Sequence, residues 1–411
     1  MSATGSRAQE SALSQASIDS EAWKALWGSA VGYAMDGFDL LILGFMLRLV
    51  SAGLGLTPPQ AGSLVTGTLV GAVFGGIGFG MLADRLGRVR TLTWTIVLFA
   101  VATGLCALAR GYWDLLAWRT IAGLGLGGEF GIGMALVAEA WPAAYRARAS
   151  SYVGLGWQAG VFAAALVTPV LLPVIGWRGM FAVGILPAVA AYVIRRTLTE
   201  PELFVRQPSR SRFSLSFLAP DSATARISFG LVILCSVQNF GYYGVMIWLP
   251  NYLSTRFGFG LTQSAAWTAI TIVGMGAGIL AFGHIADRIG RRPAFLGWML
   301  GAAVMVVIYS RLTSPAGLLL AGAIMGFFVN GMLGGYGALI SELYPTAARA
   351  TAQNVLFNIG RAVGGFGPVV VASIAGTLGF ATAIALLAVL YVIDMLAMAL
   401  LIPERRGLAL T

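Results

Sequence analysis

The chain has 411 residues, of which 58% are hydrophobic and only 10% charged, with a mean hydropathy of +0.83. A soluble domain carries about a quarter charged residues, so a water-soluble globule is excluded and an integral membrane protein is expected. The net charge of +10 does not argue for nucleic acid, because the arginines sit in short loops beside apolar runs, where such residues set topology.

Residues 1–22, "MSATGSRAQESALSQASIDSEA", are polar and lack an apolar centre, so they read as a disordered cytoplasmic tail and not as a signal peptide. Twelve apolar runs follow, at 23–50, 58–83, 91–110, 113–141, 146–174, 178–197, 225–255, 262–287, 293–311, 315–343, 348–376 and 379–403. Each can cross a hydrocarbon layer roughly 30 Å thick. The runs are continuously apolar instead of alternating, which selects helices over a barrel.

The first run contains "YAMDGFDLLILG", with Asp36 and Asp39 amid grease. One carboxylate at a bilayer centre costs roughly 2.5–3.5 kcal/mol, so two on one helix require a reason. Three positions apart, they share a helical face. Like charges that close in a poorly solvated place do not both stay ionised, which makes one of them a natural proton carrier. The structural alternative is a hydrogen-bonded pair that fixes helix packing.

The second run ends in "GMLADRLGRVR", residues 80–90. Gly80 and Gly87 permit close packing and a tight turn, Asp84 falls at a helix end, and Arg85 and Arg88 can pair with acids on a neighbouring helix. Glu139, at the end of the fourth run, is the expected partner. The fourth run, "WRTIAGLGLGGEFGIGMALVAEAWP", carries Arg119, Gly123, Gly127 and Gly131 every four residues, a stripe that admits another helix or a substrate close to the backbone. Arg119 can snorkel, whereas Glu129 is too central to do so and is a second candidate proton site. The two are roughly 80° apart around the helix and need not pair. In the fifth run Trp157 and Gln158 fall near the axis between the halves of the chain.

Residues 198–224, rich in Pro, Ser and Arg, read as a cytoplasmic linker with one short interfacial helix near "FSLSFL". In the seventh run "SVQNFGYYGVMIW" places Gln238 and Tyr242, and Asn239 and Tyr243, at i, i+4, a set of amides and phenols suited to lining a cavity. The eighth run ends in "GHIADRIGRRP", which repeats the earlier motif 203 residues on and brings Asp287 and Arg288; "EAWPAAYRARA" at 139–149 likewise returns as "ELYPTAARATA" at 342–352, bringing Glu342. One offset serves both motifs, so the chain is two halves, 23–197 and 225–403, followed by a short tail, 404–411. The eleventh run, "AQNVLFNIGRAVGGFGPVV", aligns Asn354, Asn358 and Arg361 on one stripe. A permanently charged, planar guanidinium suits a carboxylate, which makes Arg361 the first choice for an anionic substrate, with an internal counter-ion for Asp36, Asp39 or Glu129 as the alternative. Asp394 and His284 are single unusual residues, and Cys106 and Cys235 form neither a disulfide framework nor a metal site.

The basic clusters at 85–90, 146–148, 195–212, 288–292 and 405–406 fall on one side if twelve runs alternate. That side is the cytoplasm, with both termini inside. "GMLADRLGRVR" and its copy resemble the loop signature of the major facilitator superfamily, with Pro293 departing from it in the last place. The resemblance spans nearly the whole chain and implies an all-α membrane protein with twelve transmembrane helices in two pseudo-symmetric six-helix bundles, working by alternating access as a monomer. Gly80, Asp84, Arg85, Arg88, Glu139, Asp287, Arg288 and Glu342 would then form a cytoplasmic latch. "DGFD" further resembles a signature of the aromatic acid:proton symporters, as does the arginine-bearing "NIGRAVGGFGP". The stretch from Arg119 to Glu129 is similar to that of the sialate and other metabolite:proton symporters, and Glu129 departs from the aromatic acid pattern.

Together these imply proton-coupled symport of a small organic carboxylate. Asp36, Asp39 and Glu129 would handle protons, while Arg361, Asn358, Gln238, Asn239, Tyr242, Tyr243, Trp157, Gln158 and Arg119 would bind substrate. A drug:proton antiporter is disfavoured because "GLGWQAGVFAAALVTP" lacks the glycine-proline motif of those exporters, and a non-transporting sensor has no need of two intact latches. No phosphate loop, metal cluster or nucleophile beside a base is visible, so neither an enzyme nor a cofactor is expected.

Overall fold

The computed structural model describes residues 18–405 except 187–188, 190–192, 195, 207–215 and 259–260. Most of the expected N-terminal tail, the centre of the linker, part of the sixth run and most of the final tail lie outside the described residues.

The chain is helical throughout the described residues, with no strand among them. The first half comprises α1 (Ser20–Leu54), α2 (Pro58–Leu86), α3 (Arg88–Leu105), α4 (Tyr112–Ala140) and α5 (Arg146–Val183). A short α6 (Glu202–Arg206) lies in the connection. The second half comprises α7 (Ser222–Phe257), α8 (Leu261–Ile289), α9 (Arg291–Arg311), α10 (Pro315–Gly331), α11 (Leu333–Leu343), α12 (Arg349–Gly364), α13 (Gly367–Leu378) and α14 (Phe380–Leu401). Among the described residues, ten helical stretches are long and apolar enough to cross a membrane. The 35-residue α1 and the partly described sixth run complete the twelve.

Local chemistry sets the boundaries. Asp19 caps α1 by accepting from the Ala22 amide at 2.7 Å, so the helix begins at Ser20, three residues before the expected start of the run. Two runs read as single helices are broken: one at Met332, between α10 and α11, and one after Gly364, between α12 and α13. The fifth and sixth runs are joined through Gly176, whose φ of 64° turns the chain. The helix expected near "FSLSFL" is, in its described part, one 3-10 turn at Ser216–Leu218.

The repeat is visible in packing. A Cβ on Gly71 or Gly75 would lie 2.1 or 1.9 Å from the carbonyl oxygen of Thr120 or Leu124, and on Gly274 or Gly278, 203 residues later, 2.0 Å from that of Ala323 or Phe327. Side chains are excluded there, so α2 rests directly on α4 and α8 on α10. Between halves, α2 and α4 pack on α12, while α8 and α11 pack on α5.

Candidate functional site

Where the halves meet on one side of the molecule, the repeated motif builds a doubled lock. Arg88 donates to Glu139 through Nε at 3.2 Å and Nη2 at 3.1 Å; Arg291 donates to Glu342 through the same atoms at 3.1 and 2.7 Å. The aspartates reach across. Asp84 accepts from the amides of Ala350 and Thr351 at 3.1 and 2.8 Å and from the Thr351 hydroxyl at 2.5 Å, all at the start of α12. Asp287 accepts from the amides of Ala147 and Arg148 at 3.0 and 3.1 Å, at the start of α5. Each half therefore places a carboxylate on the positive end of a helix in the other, where unpaired N–H groups gather. Arg349 adds an ion pair with Glu139 at 2.7 Å between halves, and Arg88 donates to the Thr346 carbonyl at 2.7 Å.

Gly80 sits where a Cβ would lie 2.9 Å from the Thr351 Cα, so it lets α12 approach. The turn after α2 needs Gly87, at φ 112°, and its copy Gly290, at φ 108°. Glu200 and Glu404 accept from the first amides of α3 and α9, closing those turns from the linker and the chain end. Arg85 and Arg288 are exposed, and Arg88 and Arg291 carry the bidentate contacts to Glu139 and Glu342. Arg349 was not foreseen as a lock residue, although its identity with Arg146 at the repeat offset was a usable signal.

A narrow central cavity lies between the halves. Six expected residues line it: Trp157, Gln238, Asn239, Tyr242, Tyr243 and Arg361. Tyr33, Asn330, Leu333 and Phe357 line it as well. Asn330 and Leu333 flank the α10–α11 break, and no sequence pattern marked that break as functional. The Arg361 guanidinium is 5.4 Å from the ring centroids of both Trp157 and Phe357. It is 3% exposed, and its Nε and Nη1 have no hydrogen-bond partner. Towards the lock the cavity is floored by Phe357, which stacks on Phe130 of the other half at 3.8 Å.

Three expected substrate residues lie elsewhere. Arg119 is fully buried and donates to Asp39 at 2.7 Å and to the Thr68 hydroxyl at 3.2 Å, so it is a counter-ion within the first half. Gln158 faces the Met275 sulfur at 4.0 Å. Asn358 bonds the Gly127 carbonyl at 2.8 Å, while Asn354 accepts from the Gly131 amide at 2.7 Å. These two asparagines grip the carbonyl and amide that face each other four residues apart in α4. The stripe read as cavity lining is thus partly an interface.

None of the three acids lines the cavity. Asp39 is paired with Arg119. Asp36 and Glu129 are buried within side-chain hydrogen-bond reach of one another, and neither carboxyl has another hydrogen-bond partner among the described residues. Glu129 packs over Gly32, one turn before Asp36. The field of Arg361 reaches Asp36, which stands behind the cavity-lining Tyr33. One member of a buried acid pair, Asp36, thus faces a cation with two unpartnered donors.

Twelve helices in two matched halves around a buried, charged cavity define a membrane transporter. A family model described as Major Facilitator Superfamily matches residues 29–277 and, in a second placement, 231–410. The chain belongs to the major facilitator superfamily. It is 67% identical over 402 residues, covering 96% of itself and 99% of the relative, to a Haemophilus influenzae protein provisionally described as a metabolite transport protein. It is 30% identical over 378 residues to the sialic acid transporter NanX of Escherichia coli, covering 90% and 91% of the two chains. The proton:xylose symporter XylE superposes with a TM-score of 0.81 at 19% identity, over 96% of this chain and 98% of that one. That likeness concerns the fold.

Proposed function

We propose that the protein is a proton-coupled symporter that imports a small organic carboxylate by alternating access, with both termini and the lock on the cytoplasmic side. One observation carries the reading: a buried guanidinium with two unpartnered donors in a central cavity, within electrostatic reach of a buried carboxyl that sits against a second acid. Such a cation requires an anion; its free Nε and Nη1 lie on opposite sides of the guanidinium, and a substrate carboxylate takes one of them directly. Kinship with a transporter named for a sialic acid, an organic carboxylate, supports the substrate class.

In the cycle, Asp36 and Glu129 share a proton taken from outside, Arg361 receives the carboxylate, and the compensated cavity closes before the lock opens. An uncompensated Arg361 opposes passage through an occluded apolar state. Reconstituted vesicles with an acidic exterior are expected to accumulate an organic acid, and a protonophore to abolish the accumulation. Accumulation indifferent to the protonophore overturns the coupling. Arg361→Lys, which keeps the charge but loses the planar fork, is expected to weaken acid binding at least about tenfold; unchanged affinity removes Arg361 from the site.

A further inference from the structure

A second polar pole exists in the same cavity. Gln238 on α7 and Asn330 at the end of α10 both line it, and each is 2% exposed. Their amides meet head-on, with Gln238 Nε2 donating to Asn330 Oδ1 at 2.8 Å. Gln238 Oε1 and Asn330 Nδ2 are left buried without a partner. Turning both amides exchanges the roles but not the remainder: such a pair always leaves one acceptor and one donor side by side. Arg361 is the one charged residue among those that line the cavity, so there is one place for an anion.

We propose that Gln238 and Asn330 form a subsite that reads a hydroxyl group, and that the acid carried is a hydroxylated monocarboxylate. This rests on the reading that Arg361 holds the carboxylate. A hydroxyl accepts from the free amide N–H and donates to the free amide oxygen, satisfying both atoms. A second carboxylate can only accept, so it meets the amide oxygen with like partial charge and finds no second cation. An apolar end leaves both amide atoms buried and unmet, which is the strongest form of rejection available to a neutral site.

The test is binding of matched acids to the purified full-length protein by calorimetry. One series is benzoate, 4-hydroxybenzoate and terephthalate; the other is hexanoate, gluconate and adipate. In at least one series the hydroxylated monocarboxylate is expected to bind at least about tenfold more tightly than both its unsubstituted and its dicarboxylate counterparts. The double variant Gln238→Leu with Asn330→Leu is expected to erase that preference, the ratio of affinities between the hydroxylated and the plain acid falling to about one. Equal binding of hydroxylated and plain acids, or preference for a dicarboxylate, overturns the hydroxyl subsite and leaves the Arg361 reading intact. Binding of none of the six sinks the carboxylate reading and the subsite with it. The comparison on the unaltered protein stands even where the double variant fails to fold.

Discussion

At the scale of single residues, two aspartates three positions apart on one helix meet different fates. Asp39 is neutralised by Arg119 at 2.7 Å, whereas Asp36 has only Glu129 beside it and Arg361 at a distance. The sequence offered no means to tell them apart, because the discriminating cation is 80 positions away. The consequence is testable. Arg119→Gln leaves a buried charge without its partner and is expected to destabilise the protein by about 3–5 kcal/mol, while the double variant with Asp39→Asn recovers most of that; thermal unfolding in detergent measures both. Asp36→Asn keeps the shape of the side chain and a hydrogen-bonding group toward Glu129 while removing the titratable one. It is expected to leave folding and acid binding largely in place and to flatten the dependence of uptake on the proton gradient, as measured with a pH jump across vesicles. Loss of folding in that variant would assign Asp36 to architecture.

At the scale of elements, the glycines legible in the sequence as a stripe are those on which helices rest. Gly71 and Gly75 meet backbone carbonyls, not side chains, so Gly75→Val cannot be accommodated by a rotamer change. It is expected to abolish stable expression, read by size-exclusion of the detergent-solubilised protein, and the equivalent change at Gly278 to do the same. Helix identity and approximate ends were legible because hydrophobic length is a physical requirement of the bilayer. Helix breaks at Met332 and after Gly364 were not, since no proline marks the first and the apolar run continues across both. The same limit explains the site. Side chains on α7 could be placed in the cavity from their spacing, but Asn330 and Tyr33 enter it only through packing. Asn358 left it for an interface because the backbone of α4, bare at Gly127, offered a better acceptor.

At the scale of the whole molecule, the 203-residue offset read from two motifs is the symmetry of the lock itself. Asp84 on α12 and Asp287 on α5 perform one task on either side of the axis. The first side is reinforced by Arg349 against Glu139, with both side chains fully buried. Asp84→Asn and Asp287→Asn are each expected to shift the molecule toward the form open on the lock side, and the pair of changes to shift it further than either. Labelling of a cysteine introduced at Ser150, buried behind the lock, measures the shift; equal labelling in all variants would show that these aspartates do not hold the halves together.

The grip of Asn354 and Asn358 on α4 bears on how such a molecule can split without penalty inside a membrane. When the halves part, the Gly131 amide and the Gly127 carbonyl already face one another along α4, so neither peptide group is stranded in lipid. Asn358 keeps its bond to the Asn354 carbonyl within α12, whereas the Asn354 side chain has no such fallback and must be wetted. Hydration thus arrives beside Glu129, which lies between those glycines, in the same movement that unzips the partners: solvent entry and hinge travel become a single event.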